Sequence, residues 1–531
     1  MEFAGASLIA GKQAKKSGVG FRATNPATGQ ALEPTFHAAS AEDIERAVNA
    51  AQQAFLVWRH ASGAQRARLL RSIADGLDAA TDPLIDRAHL ESALPVVRLR
   101  GEMLRTCNQL RLFARAAEEG SWVEARIDTA MPDRKPLPRP DLRSMLQPLG
   151  PVAIFGASNF PLAFSVPGGD TASALAAGNA VVVKAHPAHP GTGELAGSII
   201  AESLRSCGAP EGLFSLLFDD GIGVGQALVQ HPLIQAVGFT GSRRAGRALM
   251  DLAARRPQPI PCFAEMGSTN PVFVLPGALR KQAQGIATGL FGSFTMVAGQ
   301  QCTKPGMVFV PNQPEVEPLL TDLRQLIEES ATMTLLSPGI AASYRKSLEA
   351  RRGSHGVAMQ EAPVAQSTCG VSATLLETEI DAFLQQPELG EEVFGPTSLV
   401  IRYDNREKIM RAAEELDGHL TASVMGTDED LAEYRDLISI LERKAGRIIF
   451  NGYPTGVEVS DAMVHGGPYP ATSDSRFTSV GTPAILRFAR PVCYQGCLDA
   501  MLPEELSDAN PRGILRFVNG GRTREPVARQ E

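Results

Sequence analysis

The chain has 531 residues, 44% of them apolar, and 51 basic against 58 acidic side chains, a formal charge of −7 with no basic block. That length exceeds a single core, so two or three domains are expected. The charge argues against nucleic acid and an anionic membrane surface as partners, and no apolar run reaches the roughly 18 residues of a transmembrane helix. The start, Met1 to Lys16, has no apolar core ending in a small-residue cleavage site, so no signal peptide is read. Seven scattered cysteines do not make a disulfide framework. The cytoplasm is the expected compartment.

In chain order, Ser40-Ala41-Glu42-Asp43 reads as a capping box, followed by Ile44, Val48, Ala51 and Phe55 at helical spacing. Further helices are expected at about 64–79 and 102–119. From Arg126 to Arg143 the chain is rich in Pro, Asp and Arg and reads as an extended excursion. A parallel-sheet rhythm follows. Val152-Ala153-Ile154-Phe155 and Ala180-Val181-Val182-Val183 are short apolar runs without alternation, as in strands covered on both faces. Helices at about 193–207 and 223–230 alternate with strands at 213–218 and 235–240. This is the pattern of a doubly wound α/β fold. It resumes with a strand at 272–275, a helix at about 280–298, a strand at 307–310 and a helix at about 313–330. These form a second α/β domain. After about Pro491 the periodicity weakens.

Three residues stand out for chemistry. Cys302 sits among small, flexible neighbours in Gly299-Gln300-Gln301-Cys302-Thr303. As a nucleophile it needs a lowered pKa or a base, and His186, His189 and His465 are alternative bases. The other six cysteines read as structural thiols. Glu265 lies in apolar sequence, which should raise its pKa toward that of a general base. Asn159, after an apolar run, offers an amide donor for an oxyanion. No His, Cys or Asp cluster has metal-ligand spacing, so no metal is expected.

Glycine-rich turns supply weaker signals. Gly221-Ile222-Gly223-Val224-Gly225-Gln226 misses the dinucleotide spacing at Gln226 and reads as a plain turn into a helix. Gly241-Ser242-Arg243-Arg244 follows a strand and opens a helix, so its N–H groups could face a phosphate. Its two arginines equally fit pairing with surface carboxylates. Lys184 ends a buried strand, where ligands of open α/β sheets bind. Glu391-Glu392-Val393-Phe394-Gly395-Pro396 is an acidic-aromatic turn.

From Asn25-Pro26-Ala27-Thr28-Gly29 to about Gln495, these motifs resemble those of NAD(P)-dependent aldehyde dehydrogenases. Residues 183–192, with His186-Pro187, and 464–472, with His465-Gly466-Gly467-Pro468, resemble the 2-oxoglutarate semialdehyde (2,5-dioxopentanoate) branch and the related NADP-dependent fatty aldehyde enzymes. The resemblance implies a Rossmann-like NAD(P)-binding domain at 1–124 and 147–267 and a catalytic domain at 268–480. It implies a small β oligomerisation arm and tail at 125–146 and 481–531, and a homodimer or homotetramer. Cys302 would attack the aldehyde, Asn159 and the Cys302 N–H would hold the oxyanion, and Glu265 would activate water. Lys184 would hold the adenosine ribose or its phosphate. Gly241 and Ser242 would lie by the pyrophosphate and nicotinamide, Glu392 by the nicotinamide ribose and Phe394 by the ring. The NAD-preferring pattern has a glutamate where Pro187 stands, so NADP is expected to be accepted or preferred, with NAD also possible. The implied reaction is oxidation of 2-oxoglutarate semialdehyde to 2-oxoglutarate in sugar-acid or hydroxyproline catabolism. The substrate carboxylate would need a cation from Arg105, Arg111 or Arg476. A fatty aldehyde is the alternative substrate. A non-catalytic protein on this fold is the alternative of another class, and loss of Cys302 or Glu265 would be its signature.

Overall fold

A computed structural model describes residues 3–365 and 367–527, so positions 528–531 of the expected tail lie outside the described residues. Two seven-stranded sheets organise the chain. In the first the spatial order is Cys262–Glu265, Ala236–Thr240, Val152–Phe155, Val181–Lys184, Phe214–Leu217, Leu8–Ile9 and Lys12–Gln13. The first five strands run parallel and the N-terminal pair closes the edge antiparallel. Helices cover both faces, which is why the strands are apolar without alternation. Register sets Thr240 beside Glu265 and Phe155 beside Lys184, so both charged residues sit at carboxyl ends of strands.

The second sheet runs Ala358–Glu361, Thr374–Glu379, Thr397–Tyr403, Met307–Pro311, Val272–Val274, His419–Met425 and Ala445–Phe450. All its pairings are parallel except that of the first strand. Phe273 and Phe309 stack between its strands with ring centroids 4.7 Å apart. The excursion predicted from Arg126 to Arg143 holds strand Arg126–Asp128 and the start of Leu142–Pro148. These join Ala489–Gln495, Arg516–Val518 and Gly521–Thr523 in a five-stranded sheet apart from the other two. No helix among the described residues is long and apolar enough to cross a membrane.

Helix Ala41–Trp58 begins with the expected box, and the Ser40 side chain accepts from the Asp43 N–H. Two differences from the sequence reading bear on the site. The helix expected at 102–119 starts earlier, at Val96 behind Pro95, which adds Arg98 to it. A helix at Thr81–Ser92 was not anticipated. Its Glu91 carboxylate accepts from the N–H groups of Gly191 and Thr192, at the start of helix Pro190–Ser206.

Candidate active site

The chain leaves helix Pro276–Thr295 through three consecutive residues at positive φ, Val297 at 56°, Ala298 at 52° and Gly299 at 66°. For the first two this is a strained backbone, of the kind that collects at functional sites. A side chain at Gly299 would put Cβ 2.1 Å from the Gly395 carbonyl oxygen, so the loop lies directly on the Glu392–Pro396 turn. Cys302 follows, half-buried at the cleft. Asn270 Nδ2 donates to the carbonyls of Cys302 at 2.8 Å and Lys304 at 2.9 Å. The fully buried Lys304 donates through Nζ to Val393 O at 2.9 Å and Thr397 O at 2.8 Å. One lysine thus ties the nucleophile loop to the acidic-aromatic turn. Burial pushes the Lys304 ammonium down and the Glu392 carboxyl up, and their attraction offsets part of each shift.

Glu265 ends its strand beside a returning segment. Met266 N–H donates to Ala471 O, Ser473 N–H donates to Ala264 O, and Glu265 bridges Thr472 antiparallel. This pairing carries His465 and Ser479 onto Glu265. Gly467, at φ 152°, lets the loop lie against His419, whose carbonyl oxygen a Cβ there would approach to 2.1 Å. His465 is 1% exposed, with Nε2 3.4 Å from Cys302 Sγ and 3.0 Å from Glu265 Oε1. The Ser479 hydroxyl donates to Glu265 Oε2. His186 and His189 stack on each other elsewhere, with ring centroids 5.3 Å apart, so of the three alternative bases only His465 reaches the thiol.

The charge state of Glu265 differs from expectation. Burial pushes its carboxyl up, but the charge of a protonated His465 3.0 Å away and the Ser479 hydrogen bond outweigh burial and hold it below the usual range. The expectation of a raised value considered apolar sequence neighbours and missed a partner from far along the chain. Burial and then the Glu265 charge push the Cys302 thiol well above its ordinary value, with Arg105 opposing. Cys302 therefore rests as a thiol; as a nucleophile it would have to lose its proton, and His465 Nε2 is within reach of it whenever the imidazole is neutral and no longer holds Glu265 down.

Asn159 is buried in the cleft wall, and its Nδ2 donates to Gln300 O at 2.9 Å, on the nucleophile loop. Helix Val96–Glu119 clamps the Asn159 segment. Arg98 donates to Asn159 O at 2.9 Å, pairs with Glu102 and lies over Phe160. Glu102 accepts from the N–H groups of Leu162 and Ala163. Three residues on, Arg105 lies 4.9 Å over the Phe164 ring, which stands 6.3 Å from the His465 ring. Burial lowers the Arg105 pKa against the charges of Glu102, Cys302 and Glu265, and its buried NH1 has no hydrogen-bond partner. The other two arginine candidates fail. Arg111 is spent on Asp75 and Asp78, and Arg476 is 79% exposed and paired with Asp474.

A cleft of about 730 Å³ opens over the site, with His465 and Arg105 outside its lining. Asn159, Gly241, Ser242, Glu265, Cys302, Glu392 and Phe394 all line it. Ser242 caps helix Arg243–Ala254 by accepting from Ala245 N–H, so the helix start faces the cleft with Arg243 and Arg244 beside it. A Cβ at Gly267 would stand 2.0 Å from Glu392 Oε2, so the carboxylate rests on bare backbone. A helix N-terminus for a pyrophosphate, a carboxylate for a ribose and Phe394 for a flat ring fit a dinucleotide. Lys184 does not line this cleft. Its Nζ donates to Asp219 O at 2.9 Å, one strand over. The Gly221–Gln226 stretch is a turn into helix Gly223–Gln230, and its Gly221 and Val224 N–H groups donate to Asp219. Lys304, Asn270 and Ser479 carried no sequence signal, and His465 carried one as an alternative base and through the Gly466-Gly467 pair behind it.

Residues 13–469 match the aldehyde dehydrogenase family. The chain is 48% identical over 524 residues to alpha-ketoglutaric semialdehyde dehydrogenase 2 of Azospirillum brasilense, covering 98% of this chain and 99% of that one. It is 47% identical over 489 residues to alpha-ketoglutaric semialdehyde dehydrogenase of Acinetobacter baylyi, covering 91% and 92%. Among solved structures, 1-pyrroline-5-carboxylate dehydrogenase from Thermus with bound NAD superposes with a TM-score of 0.78 at 21% identity, covering 92% of each chain.

Proposed function

Because this chain belongs to the aldehyde dehydrogenase family, we propose that it oxidises 2-oxoglutarate semialdehyde to 2-oxoglutarate, with NADP or NAD, through a thioester on Cys302. The observation that carries the substrate is Arg105. Its half-buried guanidinium is close enough to Cys302 and Glu265 for their charges to act on it, and its one buried nitrogen, NH1, has no hydrogen-bond partner. An unpaired buried donor is costly, and a substrate carboxylate completes it. The printed names of the two relatives support the same substrate.

The steps follow from the protein's own groups. His465 Nε2 takes the thiol proton, and the Glu265 carboxylate stabilises the imidazolium that results. Cys302 Sγ bonds to the aldehyde carbon. The Asn159 amide and the Cys302 N–H hold the oxyanion. When bound, the nicotinamide supplies the hydride acceptor. Cys302 then carries the acyl group as a thioester. The imidazolium releases the thiol proton to solvent, after which the Glu265–His465 pair takes a proton from water as water attacks that carbon and returns it to sulfur as the acid leaves.

On the cofactor side, Pro187 puts no acid where a ribose 2′-phosphate would be repelled. Asp219 and Asp220 lie near Lys184, but the Asp219 carboxylate is tied to Gly221 and Val224 N–H groups. NADP is therefore used at least as well as NAD, and the ratio of the two kcat/KM values tests this. The separate five-stranded sheet supports self-association as a homodimer or homotetramer.

Arg105→Met tests the substrate. The variant should lose about 10²-fold in kcat/KM for 2-oxoglutarate semialdehyde and much less for pentanal. Equal losses for the two aldehydes would show that Arg105 serves the cysteine and not the substrate.

A further inference from the structure

The same three side chains that move protons also form a set of metal ligands. Cys302 Sγ, a His465 nitrogen and a Glu265 oxygen all lie within 4.8 Å of one another. The edges from Nε2 are 3.4 Å to sulfur and 3.0 Å to Oε1. Zinc bonds of ~2.3 Å to sulfur and ~2.0–2.2 Å to nitrogen and oxygen, at tetrahedral angles, give ligand edges of roughly 3.3–3.6 Å. The two edges from Nε2 are within a few tenths of an ångström of these values, and the sulfur–carboxylate edge, within 4.8 Å, closes by side-chain rotation.

A second observation points the same way. Glu265 Oε1 is buried and receives no aligned hydrogen bond, although His465 Nε2 stands 3.0 Å away. The imidazole nitrogen faces two neighbours, and its one proton or lone pair serves one at a time. A cation placed between sulfur, nitrogen and oxygen satisfies all three. The mixed soft and borderline set favours zinc over magnesium or calcium, which prefer oxygen alone. Cys302 and Glu265 both line the cleft, so an ion has the substrate's own route in.

We infer that Cys302, His465 and Glu265 bind a thiophilic divalent cation, zinc foremost, and that this binding switches the enzyme off reversibly. On binding, the S–H bond breaks, a sulfur–metal bond forms and the proton leaves to solvent, with no change in oxidation state. Water or the medium fills the fourth position. The sulfur lone pair that attacks the aldehyde is engaged, so oxidation stops until a chelator removes the ion. The inference stands on ligand geometry and is independent of which aldehyde is the substrate.

Cobalt(II) is the probe. Titrated into the metal-free full-length protein, it should give a thiolate-to-cobalt charge-transfer absorption and the intense visible bands of a four-coordinate ion, saturating at one equivalent per chain. Zinc should bleach the spectrum and inhibit the enzyme, EDTA should restore activity, and magnesium should do neither. Cys302→Ala should abolish the charge-transfer band, His465→Ala should weaken cobalt binding at least tenfold, and Cys493→Ala should change nothing. Zinc should also protect Cys302 in the unmutated protein from alkylation by iodoacetamide, read by mass spectrometry. A band that survives in Cys302→Ala, or unprotected alkylation of Cys302 at saturating zinc, would overturn the inference.

Discussion

His465 Nε2 faces a thiol on one side and a carboxylate on the other, and the proposed reaction would have it move a proton between them. With the Cys302 thiol pushed well up and the Glu265 carboxyl held down, neither group alone is tuned to neutral pH. We predict that His465→Asn lowers kcat by about 10²-fold, the scale of a positioned base. A merely structural defect would not shift the pH at which iodoacetamide modifies Cys302, whereas loss of the base should move it upward. An unchanged alkylation profile would remove His465 from the chemistry. Cys302, Glu265 and Asn159 stand out in the sequence as single-residue candidates because each sits in a distinctive local stretch. His465 stands out only as one of three alternative bases, because 163 positions separate it from Cys302 and only the fold closes that distance.

At the scale of elements, the nucleophile loop and the Glu392–Pro396 turn behave as one piece. Lys304 joins them through Val393 O and Thr397 O, and Gly299 fits against Gly395. Lys304→Met leaves two buried carbonyls without that donor, at about 1–3 kcal/mol each. The melting temperature should fall and the cofactor KM should rise by roughly tenfold more than the aldehyde KM. Arg at this position should not rescue it, since a planar guanidinium does not fit a cavity shaped for an ammonium. Equal changes in both KM values would separate Lys304 from the cofactor side. Helix Val96–Glu119 shows what periodicity leaves open. Its pattern is visible in sequence, but Arg105 and Arg111 lie on the same helix and only packing shows which one meets the site. Helix Thr81–Ser92 was illegible for another reason. Its charged residues mask a short apolar face of Leu84, Ile85 and Ala88, and Arg87 and Glu91 are buried as a pair.

Over the whole molecule, both sheets deliver their chemistry to one cleft, and the doubly wound rhythm made that architecture legible in outline. Burial disfavours the charged form of three histidines, of which His419 lines the cleft. His419, behind Ser268 and Thr269, is pushed down to about 3 by burial and by Lys444, and burial also lowers His186 and His189. Below the ordinary value of 6.5 the unfolded chain takes up protons that the folded one refuses. Stability contributed by His419 is complete above pH 6.5 and is lost as pH falls from there toward 3. The melting temperature should therefore drop between pH 7 and pH 5, and His419→Gln should remove about 2 kcal/mol of that drop at pH 5. An identical pH profile in the variant would show that His419 does not resist protonation.

The central claim is that this cleft selects a short aldehyde carrying a 2-oxo acid. The direct measurement is steady-state kcat/KM for 2-oxoglutarate semialdehyde against pentanal, at saturating NADP, with the unmutated enzyme. A ratio of roughly 10² or more, about 2.7 kcal/mol of transition-state discrimination, is the predicted result. Equal or faster turnover of pentanal would contradict it.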